Sequence, residues 1–94
     1  MSNSTFNWND KKAASNLSKH GVSFEQAQQA FRDPFAIEFE DDRMDYGEER
    51  FILIGMATDN ILVVVHTERH DKVWIISARK AGPQERRAYH ESNF

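Results

Sequence analysis

Lys19 and His20 stand side by side before Gly21. His66, Glu68 and Arg69 close the run "VVVHTER", Arg79 and Lys80 close "WIISARK", and Tyr89 ends "ERRAY". Together these are a carboxylate, two imidazoles, two guanidiniums, two ammoniums and a phenol. An acid, an imidazole and a guanidinium, as in Glu68, His66 and Arg79, are the group types that metal-free cleavage of a phosphodiester requires. A base takes a proton from the attacking hydroxyl, an acid protonates the leaving oxygen, and fixed cations stabilise charge on phosphorus. The competing explanation is plain: strands often end in charged residues at the water boundary, and a histidine in a last helical turn favours the helix dipole.

The chain must fold to bring these groups together. Asn9 or Asp10 can cap a helix carrying Ala13, Ala14 and Leu17, and Gly21 after Lys19-His20 is an expected left-handed stop. Ser23 with Gln26 forms a capping box for a second helix, whose buried side would be Ala27, Ala30 and Phe31 and which ends at Asp33-Pro34. Beyond Pro34 the period shortens to two: Phe35, Ile37 and Phe39 alternate with Ala36, Glu38 and Glu40, as in a half-buried strand. Arg50–Met56, Ile61–Glu68 and Lys72–Lys80 continue as strands, with turns at "ATDN" and at His70-Asp71. Gly82-Pro83 stops the last strand and opens a helix over 83–92. The expected fold is α+β: two N-terminal helices, a four-stranded antiparallel sheet and a C-terminal helix, the helices on one face.

If His70 and Asp71 are the central turn residues of the last hairpin, His66 lies opposite Ile75, Val64 opposite Ser77 and Leu62 opposite Arg79. That register puts His66, Glu68, Ser77 and Arg79 on one face of the sheet.

Ninety-four residues make one domain, 1–94. No Cys is present, which removes disulfides and thiolate chemistry, and the four His residues suggest no zinc site; neither metal nor cofactor is expected. Met1–Phe6 is polar and no run reaches the roughly 20 apolar residues of a membrane span, so a soluble cytoplasmic chain is expected. Net charge is −3, against indiscriminate nucleic-acid binding, but it is unevenly spread. Residues 1–65 hold six Lys/Arg and eleven Asp/Glu, whereas residues 66–90 hold six and three. The acidic segment "EFEDDRMDYGEE", 38–49, lacks the pattern of a calcium loop and reads as solvated.

Five blocks, "WNDKKAASNLSKHGVSFEQA", "ERFILIG", "VVVHTER", "WIISARKA" and "ERRAY", resemble the BrnT family, the small ribonuclease toxins of bacterial type II toxin–antitoxin pairs. The resemblance runs from about Phe6 to Tyr89. It implies a RelE-like fold, metal-independent RNA cleavage that inhibits translation, and a BrnA-type antitoxin that neutralises the toxin in a hetero-oligomer and contacts DNA on its behalf. Carried onto this chain, it implies a catalytic set of His20, His66, Glu68, Arg79 and Tyr89, with Lys19, Arg69 and Lys80 on phosphates. Glu68 or His66 would be the base, Arg69 and Arg79 the clamp on the scissile phosphate, and His20 or Tyr89 the leaving-group acid or a stacking contact. The alternative is a non-catalytic protein-binding module of the same fold. Whether His20, His66, Glu68 and Arg79 converge on one phosphate-sized spot separates the two readings.

Overall fold

The computed structural model describes residues 5–43 and 45–93; the first four residues of the polar leader Met1–Phe6 lie outside them. Local signals act where the sequence places them. Asn9 caps α1 (Asp10–His20), its side-chain oxygen accepting from Lys12 N–H at 3.0 Å, and Gly21 ends the helix at φ 70°. Ser23 Oγ accepts from Gln26 N–H at 2.9 Å and starts α2 (Phe24–Ala30). His70 and Asp71 sit at φ 53° and 63°, the two left-handed residues of a type I′ hairpin turn. Pro83 opens α3 (Pro83–Glu91).

The expected four-stranded antiparallel sheet is corrected: the chain builds a five-stranded mixed sheet, alongside three helices. Its strands are β1 (Phe6–Trp8), β2 (Ile37–Glu40), β3 (Phe51–Ala57), β4 (Asn60–Arg69) and β5 (Lys72–Lys80), in the order β1-β5-β4-β3-β2. The added strand, β1, runs parallel to β5, with Phe6 opposite Val73 and Trp8 opposite Ile75. Three residues are too few to display an alternating pattern, so "FNW" reads in sequence only as an apolar lead into α1. The helices also divide between the faces. Val22, Phe24, Ala27 and Ala30 pack with Leu53, Leu62, Val64, Ile75 and Ala78 on one side. Tyr89 and Ala81 pack with Ile54, Ile61 and Val63 on the other. Gly55 allows the first layer to close: a Cβ there would meet the Ala30 carbonyl oxygen at 2.6 Å.

Two features of β5 set up everything below. The first is its outer edge. β1 covers it only as far as Ile75, and α1 takes over from there. Asn16, buried on α1, accepts from Ala78 N–H at 3.1 Å and donates to the Ala78 carbonyl at 2.7 Å, standing in for a strand partner; it also donates to the Val22 carbonyl at 3.0 Å. An 11-residue helix is about 16 Å long, the span of roughly five strand residues, so α1 starts level with Ile75 and delivers His20 near the end of β5. The second feature is a bulge. His66 pairs with Ile75 as the hairpin turn dictates, but Val65 pairs with Ser77, leaving Ile76 unpaired. From that point the register differs by one residue from a simple ladder: Val64 faces Ala78 rather than Ser77, and Leu62 faces Lys80 rather than Arg79.

Candidate active site

The bulge divides the expected set of residues. His66, before it, lies with Leu62 and Val64 on the α1/α2 side. Ser77 and Arg79, after it, lie opposite Val65 and Val63 on the α3 side. The expectation that His66, Glu68, Ser77 and Arg79 share one face is therefore corrected. An extra residue flips every side chain beyond it, and nothing in the continuous apolar run "VWIIS" marks where that residue sits.

On the α1/α2 side His66 is buried. Its ring packs edge-on against Phe31 at 4.8 Å between centroids and tilted against Phe51 at 5.7 Å. Nε2 lies 3.1 Å from Glu38 Oε1, while Nδ1 is buried with no hydrogen-bond partner among the described residues. Burial lowers the imidazole's proton affinity below its ordinary value, with Glu38 and, more weakly, Glu68 pulling the other way. Glu68 is exposed near the hairpin end. Arg69 is already engaged: its Nη2 donates to Glu48 Oε2 at 3.1 Å and its guanidinium lies 4.9 Å from the Trp74 ring centre. Lys80 is exposed at the end of β5. Tyr89 is a core anchor. Its hydroxyl donates to Asp33 Oδ2 at 2.6 Å, and burial together with that bond pushes its pKa up to about 12. The same carboxylate accepts from Met56 N–H at 2.7 Å, so Tyr89 ties α3 to β3.

On the α3 side the sheet forms an open groove of about 470 Å³. Its floor is a cross-strand row, Phe39 on β2, Ile52 on β3, Val65 on β4 and Ser77 on β5, with Val63 alongside. Its rim is His20, Arg43, Arg79 and Glu85. A smaller hollow of about 250 Å³ shares His20 and Ser77 with the groove and adds Lys12 and Lys19. Of the residues singled out in the sequence, His20, Lys19 and Arg79 thus meet along one continuous surface, whereas His66, Glu68, Arg69, Lys80 and Tyr89 line neither hollow.

Two of the rim guanidiniums are held from behind. Glu85, in the first turn of α3, receives Arg79 Nη1 at 2.8 Å and Nη2 at 2.5 Å, a two-point grip, and also caps Gly82 N–H at 2.8 Å. That grip raises the Arg79 pKa and lowers that of Glu85, while Arg43 is close enough to oppose the charge on Arg79. Arg43 is gripped by Asp41, through Nε at 2.7 Å and Nη2 at 2.8 Å. Asp41 is buried and also accepts from the Tyr46 hydroxyl; the bond from Arg43, chiefly, holds its carboxyl down at about 2. Most described residues of segment 38–49 are exposed, as expected, but one carboxylate in it, Asp41, is buried and holds Arg43, which lines the groove. The sequence suggests no functional role for Arg43, Ser77, Glu85 or Phe39. The one available signal was "DDR", an arginine two residues from an aspartate inside an acidic run. Among the described residues, no three His, Cys, Asp or Glu side chains gather as metal ligands, and no helix is long and apolar enough to cross a membrane.

No curated protein matches the chain. A family model described as "Ribonuclease toxin, BrnT, of type II toxin-antitoxin system" matches residues 8–85, from Trp8 at the end of β1 to Glu85, the carboxylate that grips Arg79. The match takes in β2 to β5, the last residue of β1 and both hollows, and the chain belongs to the BrnT family of ribonuclease toxins of type II toxin–antitoxin systems.

Proposed function

We propose that this toxin cuts RNA in the groove on the α3 side of its sheet, without a metal. The observation that carries the reading is that His20, Arg43, Ser77 and Arg79, drawn from three separate segments, line one open hollow. Two guanidiniums close enough to repel one another, each braced by a carboxylate, form a ready seat for a phosphate, which a planar fork binds at two points. In the reaction the ribose 2′ oxygen attacks phosphorus, its proton passes to water, and the P–O5′ bond breaks. His20 in its protonated form gives a proton to the departing 5′ oxygen. Arg43 and Arg79 neutralise the charge that grows on the phosphoryl oxygens. Glu85 and Asp41 touch no substrate and act by positioning the two arginines. Lys12 and Lys19, in the adjoining hollow, hold flanking phosphates. His66, Glu68, Arg69, Lys80 and Tyr89, implied by the family resemblance, are assigned here to support of the fold or its surface.

The further parts of the reading follow the family: cleavage blocks translation in the cytoplasm, and a BrnA-type antitoxin neutralises the toxin in a hetero-oligomer that meets DNA only through the antitoxin. Induced expression of the chain, with RNA cleavage followed in extracts with and without EDTA, tests the site. Arg79→Ala is expected to lower cleavage about 10²- to 10³-fold and relieve growth arrest, Arg79→Lys to recover only part of it, and EDTA to change nothing. Arrest and cleavage that persist in both Arg79→Ala and His20→Ala discard the groove and favour a binding module.

A further inference from the structure

We infer that the toxin takes single-stranded RNA with one nucleobase stacked on Phe39, so that this ring, at the far end of the groove floor from His20, is a specificity-determining contact. The inference rests on the groove being the RNA site and deepens that reading.

Phe39 is 48% exposed although it belongs to a strand whose neighbour on the same face, Ile37, packs into the core. Exposure of one ring is ordinary, and Phe35 is more exposed still; what sets Phe39 apart is where the ring lies. Its surroundings name the occupant. The ring shares the groove with Arg43 and Arg79 and continues into the aliphatic floor of Ile52, Val63 and Val65. A purely apolar partner would leave the two guanidiniums facing a nonpolar surface, and a bare anion would leave the floor wet. A nucleotide satisfies both halves, because every base has a flat π face and every linkage a negative charge. From Phe39 to Ser77 the row crosses three strand spacings, about 14 Å, room for a base at one end and a phosphate toward the other. Paired RNA keeps its bases stacked inside the helix, which selects single strands or loops.

Fluorescence anisotropy of the full chain with two labelled 2′-O-methyl RNA oligonucleotides tests this, one carrying all its bases and one with abasic positions at its centre. Phe39→Ala is expected to weaken binding of the base-bearing strand about tenfold, within the roughly 5- to 150-fold range that one stacked base is worth. It should leave the abasic strand unchanged, and Phe39→Trp should bind the base-bearing strand at least as tightly as the wild type. Arg79→Ala should weaken both strands. Equal losses on both strands in Phe39→Ala, or no loss on either, overturn the stacking contact while leaving the groove in place. So does a Phe39→Ala chain that keeps its RNA affinity but loses its hold on the antitoxin, since the floor is then a protein seat. Failure of the wild type to bind either strand at low salt overturns the groove and the stacking contact together.

Discussion

The side of the sheet under α1 and α2 and the side that carries α3 each hold a histidine, a carboxylate and an aromatic ring. On the first side the three close on one another: His66 lies between Phe31 and Phe51 and meets Glu38, and it lines neither hollow. On the second side they stand apart around an open space: His20 and Glu85 on the rim, Phe39 on the floor, with Arg43 and Arg79 supplying positive charge. The same residue types become packing on one side and a candidate site on the other. What differs is desolvation. Burial lowers the proton affinity of His66 and leaves its ring inaccessible, whereas the groove keeps cations wet and braced. The residue types name the chemistry; access decides where it can happen.

Three substitutions would break or sharpen this contrast. Asn16 bridges the two sides, sealing the β5 edge beneath one and carrying the helix that delivers His20 to the other. Asn16→Ala strands the Ala78 N–H and two carbonyls, and is expected to cost about 3 kcal/mol in urea unfolding and to lower cleavage as well. Full activity at reduced stability would show that the Asn16 contacts with β5 do not position His20.

Next is His66→Phe. A buried imidazole that resists protonation stabilises the fold fully above its unfolded value near 6.5, and that contribution is lost as pH falls below it, because the unfolded chain then takes up the proton more readily. Thermal melts from pH 7.5 to 5 should decline in the wild type and flatten in His66→Phe. Stability of the variant at pH 7.5 is expected to lie within about 1 kcal/mol of the wild type, with cleavage unchanged. A dead but stable His66→Phe would move the site to the closed side.

The smallest effect is expected from Tyr89→Phe: about 1 kcal/mol lost in chemical denaturation, for one hydrogen bond to Asp33, and no loss of cleavage. A large drop in turnover there would join Tyr89 to the groove.

How much of this was legible in the sequence depends on range. Caps and turns are local, so Asn9, Gly21, Ser23 with Gln26, His70-Asp71 and Pro83 announce element ends correctly. The hairpin register holds from Arg69–Lys72 to His66–Ile75, where local geometry governs, and fails beyond the bulge. β1 was hidden because parallel pairing joins Phe6 to Val73, far apart in sequence and only three residues long. His66 looked like the polar end of a strand, because its burial depends on Phe31 and Glu38 from other elements. Arg43 was hidden in an acidic run whose sign suggested solvent, since only folding reveals that Asp41 is buried beneath it. Lys19, His20 and Arg79 were found by type and are gathered by the fold; the partners that complete them were not.

Ile76 carries a consequence for which side chains such a surface presents. Odd-numbered residues of β5 point inward before it, as Val73 and Ile75 do, and even-numbered ones after it, as Ala78 does. Which side chains line the groove is thus a matter of parity, like a reading frame: were Ile76 drawn into the ladder opposite Val65, Arg79 would pair with Leu62 and turn into the protein, and Ala78 out. The groove lining is held by one residue kept out of the ladder, a placement that no comparison of residue types would flag.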